Sequence, residues 1–71
     1  MKTSARSLLG KRVKELRQKA GITQEKLAAL TGIDYKYIQK IEGKNPPAVR
    51  IDTIEKLAKA LKRPMATLLG E

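Results

Sequence analysis

The chain has no cysteine, histidine, phenylalanine or tryptophan among its 71 residues. Without cysteine it cannot form a disulfide, a thiolate zinc site or a thiol nucleophile. Without histidine it lacks the commonest general base and the commonest metal ligand of proteins. The sequence also shows no carboxylate pair, nucleophile elbow or phosphate-binding loop. We therefore predict that the protein is not an enzyme and that it uses no metal and no cofactor.

Acidic residues are scarce as well. Lysine and arginine number 16 against seven aspartates and glutamates, which gives a formal net charge of +9. This balance favours a polyanionic partner such as DNA, RNA or an anionic membrane surface, whereas a merely solvated surface usually carries nearly matched acids. No apolar run approaches the roughly 18 residues of a membrane span, and the basic N-terminus lacks the apolar centre of a signal peptide. We expect a soluble cytoplasmic protein with a single domain over residues 1–71.

The apolar residues that remain are almost all aliphatic, and their spacing is helical. In the first segment Leu9, Val13 and Leu16 recur at helical intervals, so a helix is predicted to end near residue 20, with either Ser4 or Ser7 as its cap. No strand pattern occurs anywhere in the sequence. The predicted fold class is therefore all-α, with five short helices.

The second half of the chain is divided by a pair of prolines. Residues 46–47 cannot continue a helix, so a loop is predicted there. After this loop, Asp52 is predicted to cap a helix over about residues 53–61, and Ile51 to pack ahead of it as a hydrophobic staple. A final short helix is predicted to follow Pro64.

The segment over about residues 23–42 has the features of two helices joined by a tight turn. Thr23 is predicted to cap the first helix, Gly32 to end it in the left-handed conformation, and the Asp34 carboxylate to cap the second helix. Ile38 and Ile41 are the predicted buried residues of that second helix. This order is typical of a helix-turn-helix unit, whose second helix lies in the DNA major groove. The alternative is a helical hairpin in any small bundle.

From about Leu9 to Leu69 the chain resembles the phage repressor and Cro family of helix-turn-helix domains. The matching segments are LGKRVKELRQKAGITQEKLAALTGI, DYKYIQKIEGK and TIEKLAKAL. Within them, the order Leu-Arg-x-x-x-Gly-x-Thr-Gln-x-x-Leu-Ala is quite specific to this family. A narrower similarity, to restriction-modification controller proteins, rests on the size and the Asp-x-x-Tyr-Ile segment. The resemblance implies a five-helix lambda-repressor-like fold and a prokaryotic DNA-binding regulator of transcription, such as a repressor.

The family also implies roles for individual residues. Gln24 is similar to a glutamine that contacts a DNA phosphate and braces the recognition helix, residues 34–42. Tyr35, Lys36 and Lys40 occupy positions that usually read bases, although the best-known phage repressors carry amide side chains at this helix start. Tyr37 is expected to be structural or to face a phosphate. The full set of candidate DNA-binding residues is Gln24, Asp34, Tyr35, Lys36, Tyr37, Gln39, Lys40, Lys44, Asn45 and Arg50.

Two further charged residues have a structural interpretation. Arg17 and Glu42 each lie one turn beyond a predicted core residue, at the margin of an apolar face. An acid and a base so placed can meet, but spacing alone does not show that they do. The resemblance implies that they form a buried ion pair between the first and third helices.

The function implied is that of a sequence-specific regulator that binds double-stranded DNA. A single domain reads only a few base pairs, so we predict a homodimer on an inverted repeat. The expected dimer surface is Met65, Leu68 and Leu69, although the same residues can instead close the core. One alternative is an antitoxin, or another protein-interaction module of this fold, with a toxin as partner. A second is a domain that binds RNA or any polyanion.

Overall fold

The computed structural model describes residues 4–70, which form five α-helices and no strand. Residues 1–3 and 71 belong to the predicted domain but lie outside the described residues. The predicted all-α fold class is confirmed. The helices are α1 (Ala5–Lys19), α2 (Gln24–Thr31), α3 (Tyr35–Glu42), α4 (Ile51–Leu61) and α5 (Met65–Leu69).

The core is aliphatic, as the composition requires, and all five helices contribute to it. Helix α1 packs against α3, α4 and α5, while α2 packs against α3 and α4. Helices α1, α3 and α4 each bury more than one apolar side chain, while α2 and α5 each bury one leucine. This apolar burial is the main source of stability in a domain without disulfides. The buried apolar residues are Leu9, Val13, Leu27, Ile38, Ile41, Ile54, Leu57, Ala58, Leu61 and Leu68.

Two contacts that the sequence did not reveal fix α1 against its neighbours. Gly10 is buried in the middle of α1, where a Cβ atom would collide with the carbonyl oxygen of Ile41 in α3. Glycine is needed there because the two backbones approach so closely. At the other side of α1, Arg12 donates a hydrogen bond from Nη1 to the Thr67 carbonyl oxygen of α5, at 2.8 Å.

The ends of the first two helices follow local side-chain chemistry. Ser4 is the cap of α1, since its hydroxyl accepts a hydrogen bond from the Ser7 amide at 3.2 Å, which decides between the two serines. Thr23 Oγ1 accepts from the Lys26 amide at 3.0 Å and so caps α2 as predicted. Gly32 ends α2 with a φ of 75°, also as predicted.

The predicted cap position of α3 is confirmed, but its capping hydrogen bond and the predicted cap of α4 are wrong. Asp34 occupies the N-cap position of α3, but its carboxylate makes no capping hydrogen bond. This helix end is exposed, so water can satisfy its free amides. Helix α4 begins at Ile51 with Arg50 at the N-cap position, which places Asp52 inside the first turn, where its charge still favours the helix dipole. Ile51 is 67% exposed and is not a staple.

The two cap residues of the helix-turn-helix unit should respond differently to truncation. We expect Thr23→Ala to lower the free energy of unfolding by about 1 kcal/mol, because an amide of α2 loses its acceptor. Asp34→Ala is the matched control and is expected to cost less, since no hydrogen bond is lost. Urea denaturation of both variants checks this. An equal loss in both variants would contradict the difference between the two caps.

Candidate nucleic-acid interface

Helix α3 has one buried face and one exposed face. Ile38 and Ile41 are fully buried and attach the helix to α1 and α2. Tyr35, Lys36, Gln39 and Lys40 are all exposed on the opposite side, as predicted from their spacing. The exposed face therefore presents a phenol, an amide and two ammonium groups from a helix that the core holds rigidly.

Two of these exposed side chains are held in place by each other. Gln39 Nε2 donates a hydrogen bond to the Tyr35 hydroxyl at 3.1 Å, one helical turn away. The tyrosine hydroxyl can still donate to another acceptor, and the glutamine amide oxygen can still accept. This hydrogen bond could not be read from the sequence.

An ion pair links α1 to the end of α3, as the resemblance implied. Arg17 Nε donates to Glu42 Oε2 at 2.9 Å, and Arg17 Nη2 donates to Glu42 Oε1 at 3.0 Å. The remaining guanidinium nitrogen, Nη1, donates to the Ile22 carbonyl oxygen at 3.0 Å. The side chains are only 11% and 3% exposed. A two-pronged pair of this kind fixes both position and orientation.

The surroundings of this pair keep the arginine charged. The hydrogen bond accepted by Glu42 raises the pKa of Arg17 above its ordinary value; burial lowers it, and the Glu42 charge raises it further. The guanidinium therefore carries its charge throughout the neutral and moderately alkaline range.

Gln24 joins the same network from the start of α2. Its Nε2 donates to Glu42 Oε1 at 3.0 Å. An amide nitrogen carries two hydrogens, so Gln24 retains one donor for another acceptor. The bracing role implied for Gln24 thus has a structural basis, because Glu42 ties the start of α2 to the end of α3. Its expected contact with a phosphate stays a prediction.

Tyr37 connects α3 to the loop before α4. It is half-buried against the core, and its hydroxyl donates to the Ala48 carbonyl oxygen at 3.2 Å. The loop over residues 43–50 is thereby attached to α3. The three candidate residues of that loop are all exposed: Lys44, Asn45 and Arg50.

The predicted dimer surface needs a correction. Leu68 is fully buried in the core, so it has no surface to offer a partner. Met65 is half-buried and packs against the same core. Leu69 is 50% exposed and borders a small surface groove with Val49 and Ile54. Ile51 is exposed one turn before Ile54 in α4, and sequence reasoning missed it because it was taken for a staple.

The described part of the chain holds no group of three or more residues suited to hold a metal ion. None of the helices formed by residues 4–70 is both long enough and apolar enough to cross a bilayer.

Comparison with known proteins gives two kinds of match. The sequence profile of a helix-turn-helix family matches residues 13–68. Among curated proteins, none matches this chain. Several solved structures match over most of the chain.

One similar structure is that of a hypothetical transcription factor from Neisseria, 31% identical, with a TM-score of 0.88 over 94% of this chain and 76% of that chain. The restriction-modification controller protein C.AhdI from Aeromonas hydrophila is 36% identical, with a TM-score of 0.83 over 89% of this chain and 94% of that one. A nucleoprotein complex of C.Esp1396I is 26% identical, with a TM-score of 0.79 over 99% of this chain and 100% of that one.

Proposed function

Because this chain belongs to the helix-turn-helix family, we propose that it is a DNA-binding regulator of transcription that reads duplex sequence through α3. The observation that carries the proposal is the exposed face of α3, formed by Tyr35, Lys36, Gln39 and Lys40. That face is rigidly presented, because the opposite side of α3 is buried and its end is held by Arg17 and Gln24. The nucleoprotein complex of a protein with the same fold also supports the proposal.

The proposed action is binding without chemistry. Helix α3 enters the major groove, where Lys36 and Lys40 donate to guanine O6 and N7 and Tyr35 reaches a base edge or a thymine methyl group. The free Gln24 donor and the amides at the start of α2 contact phosphates on one side. Lys44 and Arg50, on the loop held by Tyr37, contact phosphates on the other side. The net charge of +9 adds affinity that is independent of sequence.

One domain of this size contacts only a few base pairs. Sequence-specific binding therefore favours a dimer on two half-sites about one helical turn apart. With Leu68 in the core, we propose that the dimer contact uses Leu69 and Val49, which line one surface groove with Ile54, together with Ile51, exposed one turn before Ile54. Leu69 and Ile51 are the exposed large hydrophobic residues of α5 and α4, respectively. Pairing two copies through this surface removes both from water.

Selection of bound duplexes from a random DNA pool tests the proposal. The native protein is expected to recover an inverted repeat, and Tyr35→Ala/Lys36→Ala/Lys40→Ala to lose it. For that repeat, the affinity of the triple variant should fall by at least about 100-fold, since three base contacts are lost and each good contact contributes roughly 1–3 kcal/mol. Lys11→Ala/Lys14→Ala removes the same charge from exposed positions of α1 and should recover the native repeat.

Two other results of this selection are informative. Leu69→Glu should recover a single half-site instead of the repeat, because a buried charge opposes pairing. A pool that stays random with the native protein would contradict sequence-specific reading. It would favour a general polyanion-binding domain or a protein-interaction module that depends on a partner.

A further inference from the structure

A groove of about 640 Å³ lies between the C-terminal ends of α2 and α4 and the turn that follows α1. Its apolar lining comes from three separate segments and includes Ile22, Leu30, Ala60 and Leu61. None of the candidate DNA-binding residues lines it. Gln24 and Leu30 lie at opposite ends of the eight-residue helix α2, so the groove is separated from the proposed phosphate contact.

Leu30 is the large apolar side chain of this groove that is exposed. Its side chain is 52% exposed, whereas Leu27 in the same helix is fully buried. A single exposed leucine is ordinary on a protein surface. Here, however, it adjoins the half-buried Ile22 and Ala60 in one concave patch. A concave apolar patch is a surface on which a partner's side chain can be buried.

The rim of the groove is cationic. Lys56, Lys59 and Lys62 recur at every third residue at the end of α4, and all three are exposed and line the groove. No residue with a carboxylate lines this groove in the part of the chain that the structure describes. Lysine stems can cover apolar surface while their ammonium groups stay in water. The groove thus combines an apolar floor with an unbalanced positive rim.

Lys62 also has an unusual backbone. It ends α4 with φ 57° and ψ 44°, the left-handed conformation that glycine adopts without strain. Gly21 and Gly32 hold positive φ values at the ends of α1 and α2. Lysine at this position is therefore not the residue that backbone geometry favours, and what it adds over glycine is a long cationic side chain on the rim.

We propose that this groove binds a short acidic peptide segment of a partner protein. A leucine or similar side chain of the segment contacts Leu30, Ile22 and Ala60, while flanking carboxylates face Lys56, Lys59 and Lys62. A nucleic acid backbone matches the lysines but leaves the apolar floor unused, so the combined surface fits a peptide better. This contact does not depend on the proposed reading of DNA.

Fluorescence anisotropy with three synthetic peptides tests the proposal. The first carries two leucines between runs of glutamate, the second replaces the leucines with serine, and the third replaces the glutamates with lysine. Only the first is expected to bind the native protein. Lys59→Glu should weaken binding of the first peptide by about tenfold or more, and Lys62→Gly should also weaken it. Lys11→Glu makes the same charge change as Lys59→Glu outside the groove and should leave binding of this peptide unchanged. Lys62→Gly relieves backbone strain, so a loss of binding with unchanged or higher stability cannot be attributed to misfolding.

Amide chemical shifts locate the contact. The first peptide should shift the resonances of Ile22, Leu30, Thr31 and Ala60. Shifts confined to α3, or equal binding of the serine peptide, would overturn the proposal. So would a random DNA duplex that shifts the groove amides as strongly as the peptide, since the surface would then be a contact for the DNA backbone. DNA selection with Lys59→Glu should return the native result, so failure of the groove and failure of DNA reading are distinguishable.

Discussion

Replacing Glu42 with glutamine is expected to lower the free energy of unfolding by about 3 to 5 kcal/mol. The Arg17 side chain is only 11% exposed, and Glu42 is its counter-ion, with two hydrogen bonds between them. Without that carboxylate the guanidinium stays charged and largely shielded from water, with no compensating charge. The total free energy of unfolding of a domain of this length is roughly 4 to 10 kcal/mol, so the substitution removes much of its stability.

Urea denaturation measures this loss, and the chain offers two controls. Glu55→Gln makes the same chemical change at an exposed position of α4 and should stay within about 0.5 kcal/mol of the native protein. Arg17→Met/Glu42→Leu removes both charges and should recover much of the stability, because no buried charge is left unpaired. If Glu42→Gln were no more destabilising than Glu55→Gln, the pair would not be holding α1 to α3.

Gly10→Ala is the second substitution with a large expected effect. We expect it to destabilise the protein by about 3 kcal/mol, at the upper end of what overpacking usually costs. The new Cβ would collide with the Ile41 carbonyl oxygen and lie 3.2 Å from the Ile41 carbonyl carbon, both of them backbone atoms of α3. A backbone cannot rotate away as a flexible side chain can. Helix propensity alone predicts the opposite sign, since alanine stabilises a helix interior relative to glycine.

The thermal midpoint or the urea midpoint of Gly10→Ala checks this expectation. Gly43→Ala is the matched control, because Gly43 has a φ of −85° and a Cβ there would lie 3.2 Å from its nearest neighbour, Gln39 O. It should cost far less than Gly10→Ala. A Gly10→Ala variant more stable than the native protein would show that α1 and α3 can move apart at no cost.

The parts of the fold that the sequence predicts correctly depend on local chemistry. Thr23 and Gly32 bound α2 through contacts with residues of the same helix. The same local reasoning predicted a capping hydrogen bond from Asp34, which occupies the N-cap position of α3 without forming one. Thr23 forms such a bond at an equally exposed helix start, so residue type and position alone do not determine whether the bond is made. The prediction that Ile51 acts as a hydrophobic staple is wrong because α4 begins at Ile51, two residues earlier than a cap at Asp52 would allow.

The features of the candidate site likewise separate into those that local sequence patterns predict and those that only the structure shows. The exposed face of α3 follows from helical spacing, and Arg17 and Glu42 were identified by their marginal positions and by the family resemblance. The depth of Leu68, the close approach at Gly10 and the groove around Leu30 arise where distant segments meet. No short-range pattern carries that information, so these features required the structure.

The hydrogen bond from Arg12 to Thr67 has a consequence for how the chain is made. Its two ends are 55 residues apart in the sequence. At about 5 to 20 residues per second, a ribosome needs roughly 3 to 11 s to synthesise the chain between them. An isolated helix of the length of α1 is marginal in water, and its packing partners α3, α4 and α5 all emerge later. During synthesis, therefore, the apolar residues of the first segment stay exposed to water until the later helices are made. Chaperones can bind these residues in that interval, and nascent chains can associate through them.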